Sequence, residues 1–396
     1  MSLYIHIPFC ISKCAYCDFF SKPYPEVYDD YIDALCNELE YRFSLYKISR
    51  LNTIYIGGGT PSLLKPHQFQ KLFEKIRNCV QINTDTEITV EVNPDDVREE
   101  FLKILSGCGV NRISCGIQSM NNAALNKACR RADAETNKRA LELLRDSWDG
   151  EVSLDLISGL PEDDEEALIN SLTQVCSINP SHVSLYSLTI EETTPFGKQL
   201  ENGTLSYDFD KADKLWLAGR DFLLTHGYQW YEVSNFCKPG KECRHNLTYW
   251  NHKNYLGAGS GATGTVYNKD GSGFRWTNTT DVDAYITYWL NAIPESKNKE
   301  VTERNRRGLP LELPQLSESI DLPTSEFEFF MMGLRKLTGI SEGEFEAAFG
   351  KKLPEQFVSL FTKWEKRGLC VRRPDGRLCM SRQGILFLNR FLEELC

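Results

Sequence analysis

Apolar positions along the first half of the chain fall into short runs that alternate with longer amphipathic stretches. Residues 3–7 read as a strand that Pro8 ends,. Residues 27–46 carry Ile32, Leu35 and Leu39 at helical spacing, with acids on the other faces,. The same logic predicts strands at 53–56, 87–92, 112–117, 151–157 and 182–188. Helices are expected at 66–79, 99–105, 121–144 and 165–176,. Strand and helix alternate six times, with crossovers long enough for parallel pairing. The fold class is therefore α/β with a parallel sheet, either open and doubly wound or closed toward a barrel; periodicity does not choose between them.

Beyond Leu188 the pattern changes. Residues 194–197 are turn-rich, 208–225 read as an amphipathic helix and 227–233 as a strand. Residues 235–264, rich in Asn, aromatics and Gly, read as an ordered loop. The charged, Pro-rich stretch 294–323 reads as a linker or insertion,. The remainder predicts three helices, a hairpin around Pro374-Asp375-Gly376 and a last helix, a small, mainly helical, winged-helix-like unit with no basic face. The expected division is 1–235, 236–293, 294–323 and 324–396.

Composition narrows the function classes. The chain has 396 residues, enough for two or three domains, and a formal charge of −10 without a basic block, so nothing points to nucleic acid,. No apolar run approaches a membrane span, so an integral membrane protein is not expected,. The chain enters its first strand without a basic and apolar leader, and with 14 cysteines a reducing, cytoplasmic setting is expected,. Cys36, Cys79, Cys108, Cys129 and Cys176 sit in helix-like or apolar contexts and read as small buried hydrophobes,.

Cys10, Cys14 and Cys17 are different. Three cysteines at C-x3-C-x2-C spacing directly after a strand can turn three thiolates toward one point. A cubane iron–sulfur cluster with one iron left open fits this number; zinc with a remote fourth ligand, or chance clustering, are the alternatives. Polar or glycine residues also stand at the C-terminal ends of the later strands: Gly57 to Thr60, Glu91, Gln118, Asp155 and Gly159. In parallel α/β folds that edge collects the chemistry, so together they read as a ring around one ligand. Gly57-Gly58-Gly59-Thr60-Pro61 matches neither a P-loop nor a dinucleotide fingerprint; its glycines permit close backbone approach to a ligand,.

The cysteine spacing, with Tyr16 before the last cysteine, resembles the radical S-adenosylmethionine (SAM) superfamily. Tyr4-Ile5-His6-Ile7-Pro8-Phe9-Cys10 through Cys17-Asp18-Phe19 is similar to one branch, the oxygen-independent coproporphyrinogen III oxidases and the related HemW-type haem chaperones. The resemblance implies a partial (β/α)6 barrel. It implies a [4Fe–4S] cluster on Cys10, Cys14 and Cys17, whose fourth iron binds SAM for reductive cleavage to a 5′-deoxyadenosyl radical. Gly58, Gly59 and Thr60 are then expected at the SAM amino group. Glu91 (in Glu91-Val92-Asn93-Pro94), Gln118 (in Asn111 to Ser119), Arg130 on the SAM carboxylate and Asp155 near the ribose complete the set. Tyr4 and Tyr16 are the expected aromatic contacts.

Within the branch, Phe19 stands where the oxidases carry a fourth cysteine, and the first strand begins near residue 3, without their longer N-terminal arm. His245-Asn246-Leu247-Thr248-Tyr249-Trp250 matches H-N-x-x-Y-W of the haem chaperones, which makes His245 a candidate haem ligand,. Ala132 and Thr263 depart from histidines of that branch. The expectation is a protein that binds the cluster, SAM and haem, and passes haem to an acceptor haem protein, with a reductant such as flavodoxin or ferredoxin. The competing expectations are oxidative decarboxylation of coproporphyrinogen III and a zinc-bound scaffold.

Overall fold

The structure is a computed structural model and describes residues 1–23, 28–291 and 313–395. Six strands, β1 (Ser2–Ile7), β2 (Arg50–Gly58), β3 (Gln81–Val92), β4 (Arg112–Gln118), β5 (Glu151–Ser158) and β6 (His182–Ser187), pair in parallel in chain order. Helices cross over between them, beginning with Asp29–Leu45 and Pro66–Cys79.

Alternate residues of each strand explain the layering, because successive side chains point to opposite faces. Leu3, Ile5 and Ile7 of β1, Ile54 and Ile56 of β2, Val90 of β3, and Ile113 and Ile117 of β4 are almost fully buried in the main core that the helices cover. The residues between them are polar: Tyr4, Thr53 and Tyr55, Glu87 and Glu91, Arg112 and Ser114, Ser153 and Asp155. They hydrogen-bond to one another across the interior, as in Tyr55 to Glu91 and Ser114 to Asp155. A polar interior is what a barrel built to hold a polar ligand requires.

Among the described residues the sheet has twelve strands and does not close. On the β6 side lie β7 (Gln229–Glu232) and β8 (Asn235–Cys237); on the β1 side lie β9 (Tyr255–Ala258), β10 (Thr263–Tyr267), β11 (Gly273–Asn278) and β12 (Gln315–Ile320). The order is β12-β11-β10-β9-β1-β2-β3-β4-β5-β6-β8-β7. Only β9 joins β1 in parallel; the outer strands pair antiparallel. The partial barrel that the resemblance implies is thus present, with β12 and β7 as its edge strands.

Three expectations change. Residues 235–264 are not loop: they contain β8, the helix Arg244–Trp250, β9 and the start of β10, elements too short for periodicity to register. The helix expected over 121–144 is two, Asn122–Lys127 and Ala134–Ser147, each capped by its own side chain, Asn121 and Asp133,. Of the 294–323 linker, 294–312 lies outside the described residues, while Gln315–Ile320 is an edge strand and a helix starts at Leu322.

The C-terminal unit holds helices Leu322–Gly333, Glu342–Phe349 and Glu355–Glu365, a hairpin of Cys370–Arg372 with Leu378–Met380, and a last helix Leu388–Leu395. Phe330, Phe345, Phe357, Phe361 and Phe391 form its core. It packs on the barrel: Leu337 N donates to the Tyr231 carbonyl at 2.9 Å, and the Arg335 guanidinium lies over Trp250.

Candidate cofactor-binding site

The cysteine loop starts where β1 ends. Phe9–Cys10 pairs in parallel with Lys22–Pro23, so the loop closes on itself. Its middle is clamped by two backbone bonds, Ala15 N to the Ala128 carbonyl at 3.0 Å and Phe196 N to the Ala15 carbonyl at 2.9 Å. Ala15 seats in a small apolar cluster with Ala124, Ala128, Leu160, Leu188 and Phe196, separate from the main core. His6 pins the loop's far end: Nε2 meets the Phe20 carbonyl at 2.9 Å, while Nδ1 meets the Tyr4 hydroxyl at 2.9 Å. The half-buried thiols of Cys10, Cys14 and Cys17 then line one cavity of about 480 Å³.

The loop after β2 forms the next wall. Gly59 N donates to the Ile7 carbonyl at 2.8 Å. A Cβ on Gly58, whose φ is +108°, would stand 2.4 Å from the His6 ring, so glycine is required there. A Cβ on Gly59 would stand 2.7 Å from the Phe9 carbonyl oxygen. Thr60 Oγ1 reaches Cys10 Sγ at 3.5 Å and accepts from Asn93 Nδ2 at 3.3 Å. Glu91 accepts from Gly58 N at 3.0 Å and from the Tyr55 hydroxyl at 2.8 Å. Burial nonetheless pushes its carboxyl up to about 7, because desolvation outweighs those two donors,.

The opposite wall comes from β4 to β6. The register of β4 on β5 slips between Gly116 and Gln118, and Gln118 adopts φ +66°. Such a bulge re-aims a side chain, here into the cavity,. Arg130 stands in the break between the two short helices, where Cys129 has φ +55°. Its Nη1 donates to Cys14 Sγ at 3.4 Å and its Nη2 to the Gly116 carbonyl at 2.7 Å and Asn93 Oδ1 at 3.2 Å, while its buried Nε has no partner. Asp155 accepts from the Ser114 hydroxyl at 2.8 Å and Ser153 at 3.4 Å, and burial raises its carboxyl above the ordinary range. Burial also raises the Tyr16 hydroxyl.

Of the residues singled out in the sequence, Cys10, Cys14, Cys17, Tyr16, Gly58, Gly59, Thr60, Glu91, Gln118, Arg130 and Asp155 all line this cavity. Tyr4 does not; it stacks on Tyr55 one layer below and holds His6. His245 stands elsewhere. Its helix plugs the N-terminal mouth of the barrel, where its ring is 1% exposed with Nδ1 on Thr53 Oγ1 at 2.8 Å and Nε2 on the Tyr249 hydroxyl at 2.9 Å. Both nitrogens are taken, so the ring occupies a structural place rather than the open one expected of a haem ligand. Thr263 bonds Thr277 in the antiparallel extension and Ala132 is buried. Cys36 and Cys108 are buried as expected, whereas Cys129 is exposed and Cys79 and Cys176 are half-buried. Tyr55, Asn93 and His6 are the site residues that motif reading passed over; for the first, its inward place in the strand alternation is the signal.

The donor set fits a cluster with SAM. The three thiols line one cavity, and among the described residues no three Cys, His, Asp or Glu side chains stand close enough to hold a single ion. Soft thiolates suit iron–sulfur chemistry, in which separate irons take separate thiolates. The glycine cradle, the buried carboxyls and an arginine with a spare donor suit a zwitterionic amino acid beside it.

Residues 4–174 match the family model of the Radical SAM superfamily, and 321–387 that of the HemN C-terminal domain. The chain is 37% identical over 352 residues to the heme chaperone HemW of Escherichia coli, covering 88% of this chain and 86% of that protein. It is 33% identical over 404 residues to the heme chaperone HemW of Bacillus subtilis, covering both chains completely. Among solved structures, coproporphyrinogen III oxidase (HemN) from Escherichia coli has the same fold, with a TM-score of 0.77 at 21% identity over 100% of this chain and 89% of that one.

Proposed function

The chain belongs to the HemW-type branch of the radical SAM family, and from that premise we propose that it is a haem chaperone, binding a [4Fe–4S] cluster and SAM and passing haem to acceptor haem proteins. The observation that carries this reading is the convergence of Cys10, Cys14, Cys17, Glu91 and Arg130 on one cavity, in a chain that aligns with heme chaperones over nearly all its length.

Cys10, Cys14 and Cys17 would hold the cluster. When bound, the cluster supplies an open iron for SAM and a source of single electrons. The protein's own residues prepare the site around it. Arg130 places positive charge beside the Cys14 sulfur. Glu91, its carboxyl pushed up to about 7 by burial, would lose its proton on pairing with the ligand's amino group,. Gln118 and the Arg130 guanidinium would meet the same ligand's carboxylate, and Asp155 would accept a hydrogen bond from a ribose hydroxyl. A flavodoxin or ferredoxin as reductant and a cytoplasmic setting follow from this reading; among the described residues no helix is long and apolar enough to cross a membrane.

The test is anaerobic reconstitution with iron and sulfide, followed by two parallel incubations. One receives haem. The other receives coproporphyrinogen III, SAM and a reductant. Stable haem uptake without decarboxylation is expected. Formation of protoporphyrinogen would make the protein an oxidase, the reading that Phe19 in place of a fourth cysteine disfavours.

A further inference from the structure

The chain is acidic and has no basic run in sequence, yet folding assembles a basic cleft. A cavity of about 830 Å³ lies at the N-terminal mouth of the barrel, where the first residues of β1 and β2 meet the helix Arg244–Trp250, the β10–β11 turn and the C-terminal unit at Ala347 and Ala348. Its charged lining side chains are Lys47, Arg50, Arg244, Lys253 and Lys269; among the described residues no Asp or Glu lines it. In a chain with 45 basic and 55 acidic residues, five charges of one sign around one hollow mark a deliberate field,.

The neighbouring acids offset two of the five: Asp85 pairs with Arg50 at the rim and Glu87 with Arg244 at 3.7 Å, while Asp270 bonds Ser272, so the three lysines carry the field. Lys47, Lys253 and Lys269 have no ion pair or side-chain hydrogen bond among the described residues. All three are exposed, and Lys47 comes from a segment about 200 residues before the other two. The cleft also has a flat aromatic wall, His252 stacked on Tyr267 at 3.8 Å between ring centroids. Burial lowers the His252 ring to about 4, so it adds surface rather than charge near neutrality.

We propose that this cleft binds a compact oligoanion, a small molecule carrying two or more phosphate or carboxylate groups, gripped by Lys47, Lys253 and Lys269 and seated between the barrel and the C-terminal unit. The site is separate from the cysteine cavity. Thr53 lines the cleft and Gly58 lines the cavity; at the strand rise per residue, these two residues of β2 stand roughly 17 Å apart. The proposal therefore does not depend on the cluster or on haem transfer. Carboxylates of a haem and phosphates of a nucleotide supply the same chemistry, and the probes below separate them.

The reconstituted full-length protein and a Lys47→Glu/Lys253→Glu/Lys269→Glu variant are titrated calorimetrically with tripolyphosphate, ATP and haem, with SAM as the control ligand. At least one of the three anions is expected to bind the wild type, to weaken about tenfold or more in the variant, and to weaken on raising salt from about 0.05 M to about 0.3 M. SAM affinity and cluster absorption are expected to be equal in both proteins. Lysine-dependent binding of haem alone identifies carboxylates as the source; binding of tripolyphosphate or ATP identifies phosphates. The proposal is overturned if no anion binds the wild type, or if the variant binds each as tightly. A circular dichroism melt matching the wild type keeps a folding defect from imitating the loss.

Discussion

Arg130 donates through Nη1 to the Cys14 thiol at 3.4 Å, and through Nη2 of the same guanidinium to the Gly116 carbonyl at 2.7 Å. One side chain therefore ties the cysteine loop to β4. Its buried Nε has no partner among the described residues. An unsatisfied buried donor is costly unless something arrives to use it.

Replacing Arg130 with Gln removes both the charge beside Cys14 and that spare donor. A charge-assisted bond of this kind contributes about 1.5–3 kcal/mol, so SAM affinity should fall between about tenfold and about a hundredfold. Iron and sulfide content should stay that of the wild type, because the thiols remain. Equilibrium dialysis with labelled SAM measures the first and colorimetric analysis the second. Wild-type SAM affinity in Arg130→Gln would place the SAM carboxylate elsewhere.

Glu91 makes SAM binding pH-dependent. Its carboxyl is pushed up to about 7 by burial, so the form that pairs with a cationic amine gains population as pH rises. SAM affinity should increase roughly tenfold per pH unit below about 7 and level off above it. Stability of the unliganded protein runs the other way. The folded state keeps a proton that the unfolded state releases near the ordinary carboxylate value. This contribution is therefore full below that value and is lost as pH rises through about 7. Glu91→Gln should flatten both profiles. An unchanged slope of SAM affinity in that variant would show that another group titrates.

His245 is expected to matter for stability, not for haem. Its ring bridges Thr53 and Tyr249 and stacks on Tyr55 at 5.1 Å between centroids. His245→Ala opens a cavity and strands two hydroxyls, at a cost of about 2–4 kcal/mol. Chemical denaturation should show that loss, with haem affinity of the folded protein unchanged. Lost haem binding at wild-type stability would restore the ring as an iron ligand.

How much of this was legible beforehand follows from the range of the forces involved. Ile54, Ile56 and Val90 alternating with Tyr55 and Glu91 mark both the strands and their inward faces, because that signal is local. The cysteine loop is equally local: its spacing, and the proline before it, suffice. Arg130 was found, but its setting was not. Helical periodicity runs through 121–144, and only the two capping residues Asn121 and Asp133 hint at the break that turns the guanidinium into the cavity. Tyr255–Ala258 is too short to carry a period; what makes it a strand is pairing with Ser2 to Ile5, some 250 residues away. His245 sits in a string that suggests ligand chemistry, and only the docking of its helix at the closed mouth gives both ring nitrogens partners. The basic cleft was invisible for the same reason, since Lys47, Lys253 and Lys269 meet only in the folded chain.

The central claim is that Cys10, Cys14 and Cys17 together hold one cluster, and the most direct measurement is iron and acid-labile sulfide per chain, with the visible spectrum, after anaerobic reconstitution of the wild type and of the Cys10→Ala/Cys14→Ala/Cys17→Ala variant. About four irons and four sulfides with brown absorption in the wild type, and neither in a variant that remains folded, is the predicted result. A cluster retained without these three thiols, or one zinc and no sulfide in the wild type, would contradict it.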